Sequence, residues 1–225
     1  LFDEKFNENH LLGLGINSQK TQNGKTKFFN SFSIYDNEFN LINSYDKVKL
    51  VPFGEFLPFE QILRTIGLKS LTNNYQSYSS GSNRDIIDIN ENNISFKILP
   101  LICYEIIYSG KIFENNKFDY IINISEDGWF GNSIGPYQHY SHSIFRAIES
   151  GKYVIRSANN GITAIVNPIG VAEQKILFGK NGYIDFREKR SVETTIFSKF
   201  GNKIFFVMIL LYIFLIFSFN KIKNE

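Results

Sequence analysis

The sequence contains very little cysteine: the 225 residues include a single one, Cys103. One cysteine excludes an internal disulfide framework and any thiolate-rich zinc site. The sequence also lacks an excess of charge of either sign: it has 24 lysines and arginines against 22 aspartates and glutamates. The basic residues are scattered along the chain. Without a basic stripe, binding to nucleic acid is not expected.

The pattern of apolar residues predicts a mixture of strands and helices, and hence a fold of the α/β class. The sequence predicts strands over 28–35, 39–45, 94–102, 118–124, 153–158, 162–166 and 192–197, and helices over 59–68 and 139–150. The pair Asn23-Gly24, at the centre of a polar linker over 19–27, is a hairpin signal between strands. Two prolines and a glycine exclude a regular element over most of 47–58.

The end of the chain carries a long apolar run. Residues 204–219 read IFFVMILLYIFLIFSF, and Lys203 and Lys221 flank them. A helix that is apolar on every side needs burial on every side, in a protein core or in lipid. We therefore expect a transmembrane helix over 200–220, at the short limit for a span, followed by a short tail over 221–225. A buried C-terminal helix is the alternative.

Three side chains stand at positions that suit catalysis. Cys103 ends a predicted apolar strand, where a thiol is both fixed and accessible, although a buried inert cysteine is the commoner situation. Lys47 precedes a Pro-Phe-Gly-Glu turn and could stabilise an oxyanion, and that turn could hold the Glu55 carboxylate in a set direction. A solvated surface charge is the alternative for each.

The two histidines His139 and His142 are three residues apart and can share one face of a helix. A metal site would need further ligands, and neither a third histidine nor a second cysteine is in place. A packed or solvent-facing pair is the expected situation, and no metal or cofactor is predicted.

Seven short motifs occur in a fixed order along the chain. They are YDKVKLVPFGE at 45–55, ICYE at 102–105, NISEDGWFG at 123–131, GPYQH at 135–139, RAIE at 146–149, RSAN at 156–159 and GI at 161–162. Together they resemble the apolipoprotein N-acyltransferases, from about residue 11 to the C-terminus. The resemblance implies a nitrilase-like α-β-β-α sandwich over 1–199, incomplete at the N-terminus because its first strand is lacking, followed by one C-terminal transmembrane helix.

The resemblance also implies roles for individual residues. Cys103 resembles the nucleophile of a Glu-Lys-Cys triad, Lys47 the triad lysine, and Glu55 a second essential glutamate in the adjacent loop. Four further residues match positions beside the nucleophile or in the loop that borders the active site, and are expected to contact substrate: Tyr104, Glu105, Trp129 and Phe130.

The implied reaction consists of two acyl transfers. Cys103 takes a fatty acyl chain from a phospholipid as a thioester, and the α-amino group of the diacylglyceryl-cysteine that begins an apolipoprotein then takes it over. The implied partners are therefore a phospholipid donor, an apolipoprotein acceptor and a membrane. The family places this reaction at the bacterial inner membrane, with the catalytic domain facing the periplasm, which makes 221–225 a cytoplasmic tail.

Two positions depart from the family pattern. The general-base glutamate of the triad has no counterpart, since Glu4 and Glu8 lie in a polar stretch with no strand before them. We therefore expect the chain to be the C-terminal part of a longer enzyme, and to be inactive on its own. Glu126 also stands where the family usually has asparagine. The alternatives are an amidase of the same superfamily and an inactive truncated remnant of the acyltransferase.

Overall fold

The computed structural model describes residues 10–22, 24–59, 62, 65, 77–91, 94–110, 117–187, 192–193 and 195–223. The strands are β1 (Leu12–Gln22), β2 (Lys25–Tyr35), β3 (Leu41–Asp46), β4 (Ile87–Glu91), β5 (Ile94–Ile102), β6 (Tyr120–Glu126), β7 (Tyr153–Asn159), β8 (Thr163–Val166) and β9 (Ala172–Ile176). The α-helices with described bounds are α1 (Gly135–Ser150), α2 (Ile196–Phe200) and α3 (Lys203–Lys223), and two 3-10 helices span Cys103–Ile107 and Gly128–Phe130. The predicted α/β class is confirmed.

The first three strands form an antiparallel sheet in the order β1-β2-β3. Gln22 pairs with Lys25, so two residues connect β1 to β2, and Gly24 has a φ of 71° that suits such a tight turn. The predicted hairpin is confirmed at this position. The strands nevertheless continue through most of the stretch predicted as a linker, because backbone pairing does not require apolar side chains.

The other six strands form a mixed sheet in the order β4-β5-β6-β7-β8-β9, of which β5, β6 and β7 run parallel. Neighbouring parallel strands end at the same edge of a sheet. Cys103 directly follows β5 and Asp127 directly follows β6, so both lie at that edge. In α/β sheets this edge is where functional sites form.

The two sheets pack face to face, and α1 covers the opposite face of the larger sheet. The core between the sheets contains Phe32, Ile34, Tyr45, Ile87, Ile89, Ile98 and Ile102. The core beneath α1 contains Leu99, Leu101, Ile106, Phe118, Ile121, Ala147, Val154, Ala164 and Val166. The described residues therefore build three layers of the expected α-β-β-α sandwich, helix on sheet on sheet.

The sequence predictions differ from the structure in one predicted strand and in several strands that were not predicted. The strand predicted over 192–197 is wrong, because residues 196–200 form α2, whose N-cap Thr195 accepts a hydrogen bond from the Ser198 backbone amide at 3.0 Å. The strands β1, β4 and β9 were not predicted, since two glycines and a polar second half interrupt the pattern of β1 and polar residues dominate the other two. Most of the helix predicted over 59–68 falls outside the described residues.

The apolar run at the C-terminus is a helix, α3, and its side chains are exposed, with Phe206 at 63% and Leu210 at 66%. By length and hydropathy, the part of the chain that the structure describes holds no helix able to cross a membrane. The transmembrane assignment of 200–220 is therefore not supported by the structure.

Candidate active site

The backbone presents Cys103 at the start of a tight turn. The residue directly follows β5 as the first residue of the 3-10 helix, has a φ of +51° and is partly buried. A non-glycine residue in this left-handed region costs on the order of 1–3 kcal/mol and persists only where its surroundings impose it. The geometry is that of a side chain lifted from a strand end into a cavity, as nucleophilic catalysis requires.

Lys47 lies immediately after β3 and is almost fully buried, with 1% of its surface exposed. Its Nζ donates to both carboxylate oxygens of Glu55, at 2.9 and 2.7 Å. Glu55 also accepts from Asn30 Nδ2 and from the Val51 backbone amide, both at 2.8 Å. Because a buried ammonium is stable only when it is paired, Glu55 both neutralises Lys47 and fixes the direction of its Nζ.

Lys47, Glu55 and Cys103 line one cavity of about 860 Å³, although they belong to separate parts of the chain. Apolar side chains make up much of its wall: Leu14, Ile16, Ile102, Ile124, Trp129 and Phe130. Gly15 contributes space, because a Cβ there would lie 2.8 Å from Ile124 Cδ1. A cavity of this size suits a small molecule or part of a larger one.

Three of the four predicted substrate-contacting residues lie at this cavity. Tyr104, Trp129 and Phe130 all line it. Trp129 is 73% exposed, so it stands at the rim, and Tyr104 is 39% exposed. The exposed aromatic rings give the mouth of the cavity an apolar border.

Glu105, the fourth of these residues, is fully buried and does not line the cavity. Its carboxylate accepts from the Tyr45 hydroxyl at 2.9 Å, and burial followed by the charge of this carboxylate raises the pKa of Tyr45. It also accepts from backbone amides on both sides of the site: Val48 (3.0 Å), Lys49 (2.9 Å) and Ile102 (2.9 Å). Glu105 therefore ties the segment after Lys47 to the turn that carries Cys103.

A buried polar network beneath Cys103 was not foreseen from the sequence. His139 on α1 lies with Nδ1 2.8 Å from Asp127 Oδ1 and with Nε2 3.2 Å from the Cys103 carbonyl oxygen. Arg156 on β7 donates from Nη2 to Asp127 Oδ2 at 2.6 Å and from Nη1 to Asn123 Oδ1. Asn123 in turn donates to the Leu101 carbonyl oxygen at 2.8 Å.

The electrostatics of this network follow from its burial. Burial by itself opposes ionisation of Asp127, but the hydrogen bond with His139 and the positive charge of Arg156 outweigh it, so the pKa of Asp127 is lowered. Burial lowers the pKa of Arg156, against the opposing effect of Asp127. Asp127 is therefore the anion that compensates buried positive charge at the floor of the site.

One signal in the sequence could have found the network. Asn123 and Asp127 belong to the motif at the end of β6, and Arg156 begins the motif on the next parallel strand. The ends of adjacent parallel strands meet at one edge, so this order of motifs could have placed these residues near Cys103, although the sequence analysis did not use it. His139 gave no such signal, because only the packing of α1 on the sheet brings it there. Among the described residues, no cluster of potential ligands could hold a metal ion.

The arrangement supplies two elements of covalent catalysis. Cys103 offers a thiol at the cavity, and Lys47 offers a buried ammonium that can stabilise an oxyanion. Within the described ranges, no carboxylate hydrogen-bonds to the sulfur of Cys103; Glu55 bonds to Lys47 instead.

Known proteins share both the sequence and the fold. Residues 7–178 match the carbon-nitrogen hydrolase family. The protein named apolipoprotein N-acyltransferase of Rickettsia prowazekii (strain Madrid E) is 40% identical over 208 residues, 92% of this chain and 40% of that protein. The one of Bradyrhizobium diazoefficiens is 36% identical over 178 residues, 79% of this chain and 33% of that protein.

The chain thus spans less than half the length of these curated relatives. Among solved structures, Nit3 of Saccharomyces cerevisiae, a member of branch 10 of the nitrilase superfamily, shares the fold at a TM-score of 0.51 and 18% identity, over 74% of this chain and 56% of that one. Similarity to the apolipoprotein N-acyltransferases, expected from the motifs, is confirmed, and the chain belongs to the carbon-nitrogen hydrolase family.

Proposed function

We propose that this chain is the thiol-bearing part of an N-acyltransferase that moves a fatty acyl chain from a phospholipid to the N-terminal diacylglyceryl-cysteine of apolipoproteins. One observation carries the proposal: the thiol of Cys103 and the buried ammonium of Lys47 share a cavity whose walls are largely apolar. A long acyl chain requires apolar walls, and an ester carbonyl requires a nucleophile and a cation.

The first transfer forms a thioester. The sulfur of Cys103 attacks the ester carbonyl carbon of the phospholipid, a C–S bond forms, and the ester C–O bond breaks. The lysophospholipid leaves with a proton on its oxygen. Lys47 stabilises the negative oxygen of the tetrahedral stage, where charge develops. Glu55 acts through Lys47 by holding its ammonium in place.

The second transfer releases the acyl chain to the acceptor. The α-amino nitrogen of the diacylglyceryl-cysteine attacks the thioester carbonyl, a C–N bond forms, and the C–S bond breaks. The nitrogen loses a proton and Cys103 returns to its starting state. A thioester suits this step because it divides one difficult exchange into two easier ones.

Both substrates are lipids, so we propose that the enzyme works at the bacterial inner membrane, with its catalytic part facing the periplasm. In this proposal the catalytic domain ends near residue 199. The apolar side chains of α3, exposed along the helix, contact lipid. The exposed rings of Tyr104 and Trp129 lie at the mouth of the cavity, where a phospholipid would enter.

We also propose that a polypeptide limited to residues 1–225 transfers acyl groups poorly. Within the described ranges, no carboxylate is bonded to the sulfur of Cys103. The thiol therefore has no general base among these residues, which supports the proposal. A base supplied from elsewhere in a longer chain would complete the site.

Transfer from a labelled phospholipid tests the proposed function directly. The full-length protein is incubated in detergent with a phospholipid carrying a labelled acyl chain and a synthetic diacylglyceryl-cysteine peptide. The expected product is the N-acylated peptide, with none formed by Cys103→Ser. Lys49→Met, an exposed lysine beside the site, serves as the control and leaves the rate unchanged. Label released only as free fatty acid, or ammonia released from simple amides, would show a hydrolase and overturn the proposal.

A further inference from the structure

The backbone of Cys103 is held by side chains that lie far from it in the sequence. Its carbonyl oxygen lies 3.2 Å from His139 Nε2 and 3.4 Å from Asn123 Nδ2. Both donors come from other elements, α1 and β6. This carbonyl belongs to the residue with a φ of +51°. The two bonds therefore help to hold the unusual backbone conformation that directs the side chain into the cavity.

The partners of His139 determine which of its nitrogens carry hydrogen. Nε2 faces a carbonyl oxygen and Nδ1 faces a carboxylate oxygen, and both of these groups only accept. Hydrogen bonds to both accepting partners need a hydrogen on each ring nitrogen, which is the imidazolium form. Arg156 Nη2 lies 3.3 Å from Nδ1, but it lies closer, at 2.6 Å, to Asp127 Oδ2, which is its acceptor.

The charges of the network do not cancel. Arg156 and the His139 imidazolium are positive, and Asp127 is the negative group bonded to both. All three side chains are buried, with at most 3% of each residue exposed. The remainder is positive charge beneath the turn that carries Cys103, since His139 Nε2 lies 3.2 Å from the carbonyl oxygen of that residue.

We infer that Asp127, His139 and Arg156 form a positioning network for Cys103, in which a His139 imidazolium bridges the Asp127 carboxylate and the Cys103 carbonyl. The network fixes the left-handed turn by holding the Cys103 carbonyl oxygen, and so sets the direction of the side chain. None of the three side chains lines the cavity, so they act through Cys103 and not on the substrate. The role in acyl transfer rests on the function proposed above; the role in thiol reactivity does not.

Nuclear magnetic resonance of the unmodified protein tests the imidazolium without any risk of misfolding. The full-length protein is labelled with ¹⁵N-histidine, and the resonances of His139 are assigned by their loss in His139→Gln. We expect two protonated ring nitrogens at pH 7.5, and only one after Asp127→Asn. A single protonated nitrogen in the unmodified protein would overturn the inference.

Thiol reactivity and kinetics test the positioning role. We expect His139→Gln to slow alkylation of Cys103 by iodoacetamide about tenfold, and to lower kcat for acyl transfer about 10²-fold with KM within about twofold. His142→Gln, three residues along the same helix and outside the network, is the control and leaves both rates unchanged. Unaltered alkylation in a folded His139→Gln variant would refute the network, whereas slowed alkylation in a protein that never transfers acyl chains would refute only the proposed function.

Discussion

At the scale of single residues, the site depends on charges that are buried and paired. Lys47 is 1% exposed and donates to both oxygens of Glu55. Burial fixes the ammonium in place before any substrate arrives, so no reorganisation is needed when an oxyanion forms. The same burial makes each partner sensitive to loss of the other.

Substituting Lys47→Met removes the cation from the cavity. We expect formation of the Cys103 thioester to slow by about 10²–10³-fold, as for the loss of an oxyanion-stabilising donor. The rate is measured by mass spectrometry of the full-length protein mixed with phospholipid. Lys49→Met controls for loss of a lysine, since Lys49 is exposed and bonds to Glu105 only through its backbone amide. Equal rates for the two variants would contradict the role given to Lys47.

Asp127 makes a pH-dependent contribution to the free energy of unfolding. Burial opposes its ionisation, but His139 and Arg156 lower its pKa below the usual 3.8 in the folded protein. A carboxyl group with a lowered folded-state pKa contributes stability above its unfolded pKa, and this contribution is lost as the pH falls through the folded value. The loss should therefore occur below about pH 4.

Chemical denaturation at pH 5, 4 and 3 checks this dependence. We expect the unmodified protein to lose more unfolding free energy over this range than Asp127→Asn does, because the variant has no carboxylate to protonate. Asp88→Asn, at an exposed ion pair with Lys97, is the control and follows the unmodified protein. A parallel loss in all three proteins would show that Asp127 is not stabilising.

At the scale of elements, the site is assembled where β3, β5 and β6 end. The motif spacing indicated the candidate residues, and the apolar runs predicted β5 and most of β6 and β7. The meeting of Lys47 with Cys103 could not be predicted from the spacing, because it results from packing one sheet on the other. His139 was interpreted as a packed or solvent-facing residue for the same reason: its contacts are made between elements.

The failures among the element predictions have a common cause. The strands β4 and β9 carry exposed polar residues, so neither shows an apolar run. The segment 192–197 is rich in β-branched residues, but Thr195 caps α2 and a helix starts at residue 196. Local patterns describe the burial of a segment, whereas caps and strand pairing decide its conformation.

Thr195 connects α2 to the helix α1. Its hydroxyl oxygen accepts from the Ser198 amide at 3.0 Å, and its hydroxyl donates to the Glu149 carbonyl oxygen on α1. We expect Thr195→Ala to destabilise the protein by about 1 kcal/mol, the usual cost of losing an N-cap. Thermal unfolding measures the effect, and Thr195→Ser, which keeps the hydroxyl, should retain most of the stability. Identical melting of the alanine and serine variants would argue against this cap.

At the scale of the whole molecule, the sandwich is followed by a helix with an exposed apolar surface. Leu210 and Phe214 of α3 are 66% and 65% exposed, so they make little internal packing. We expect Leu210→Asp combined with Phe214→Asp to abolish flotation with phospholipid vesicles while leaving thermal unfolding unchanged. Leu177→Asp, at an exposed leucine elsewhere, should still float. Continued flotation of the double variant would show that α3 does not contact lipid.

The central claim is that Cys103 carries a fatty acyl chain as a thioester. The most direct measurement is the intact mass of the full-length protein, extracted from its own cells, before and after hydroxylamine. We predict an added mass equal to one fatty acyl group, located on the peptide that contains Cys103 and removed by hydroxylamine. A bare thiol on that peptide, both in the extracted protein and after incubation with phospholipid vesicles, would contradict the account.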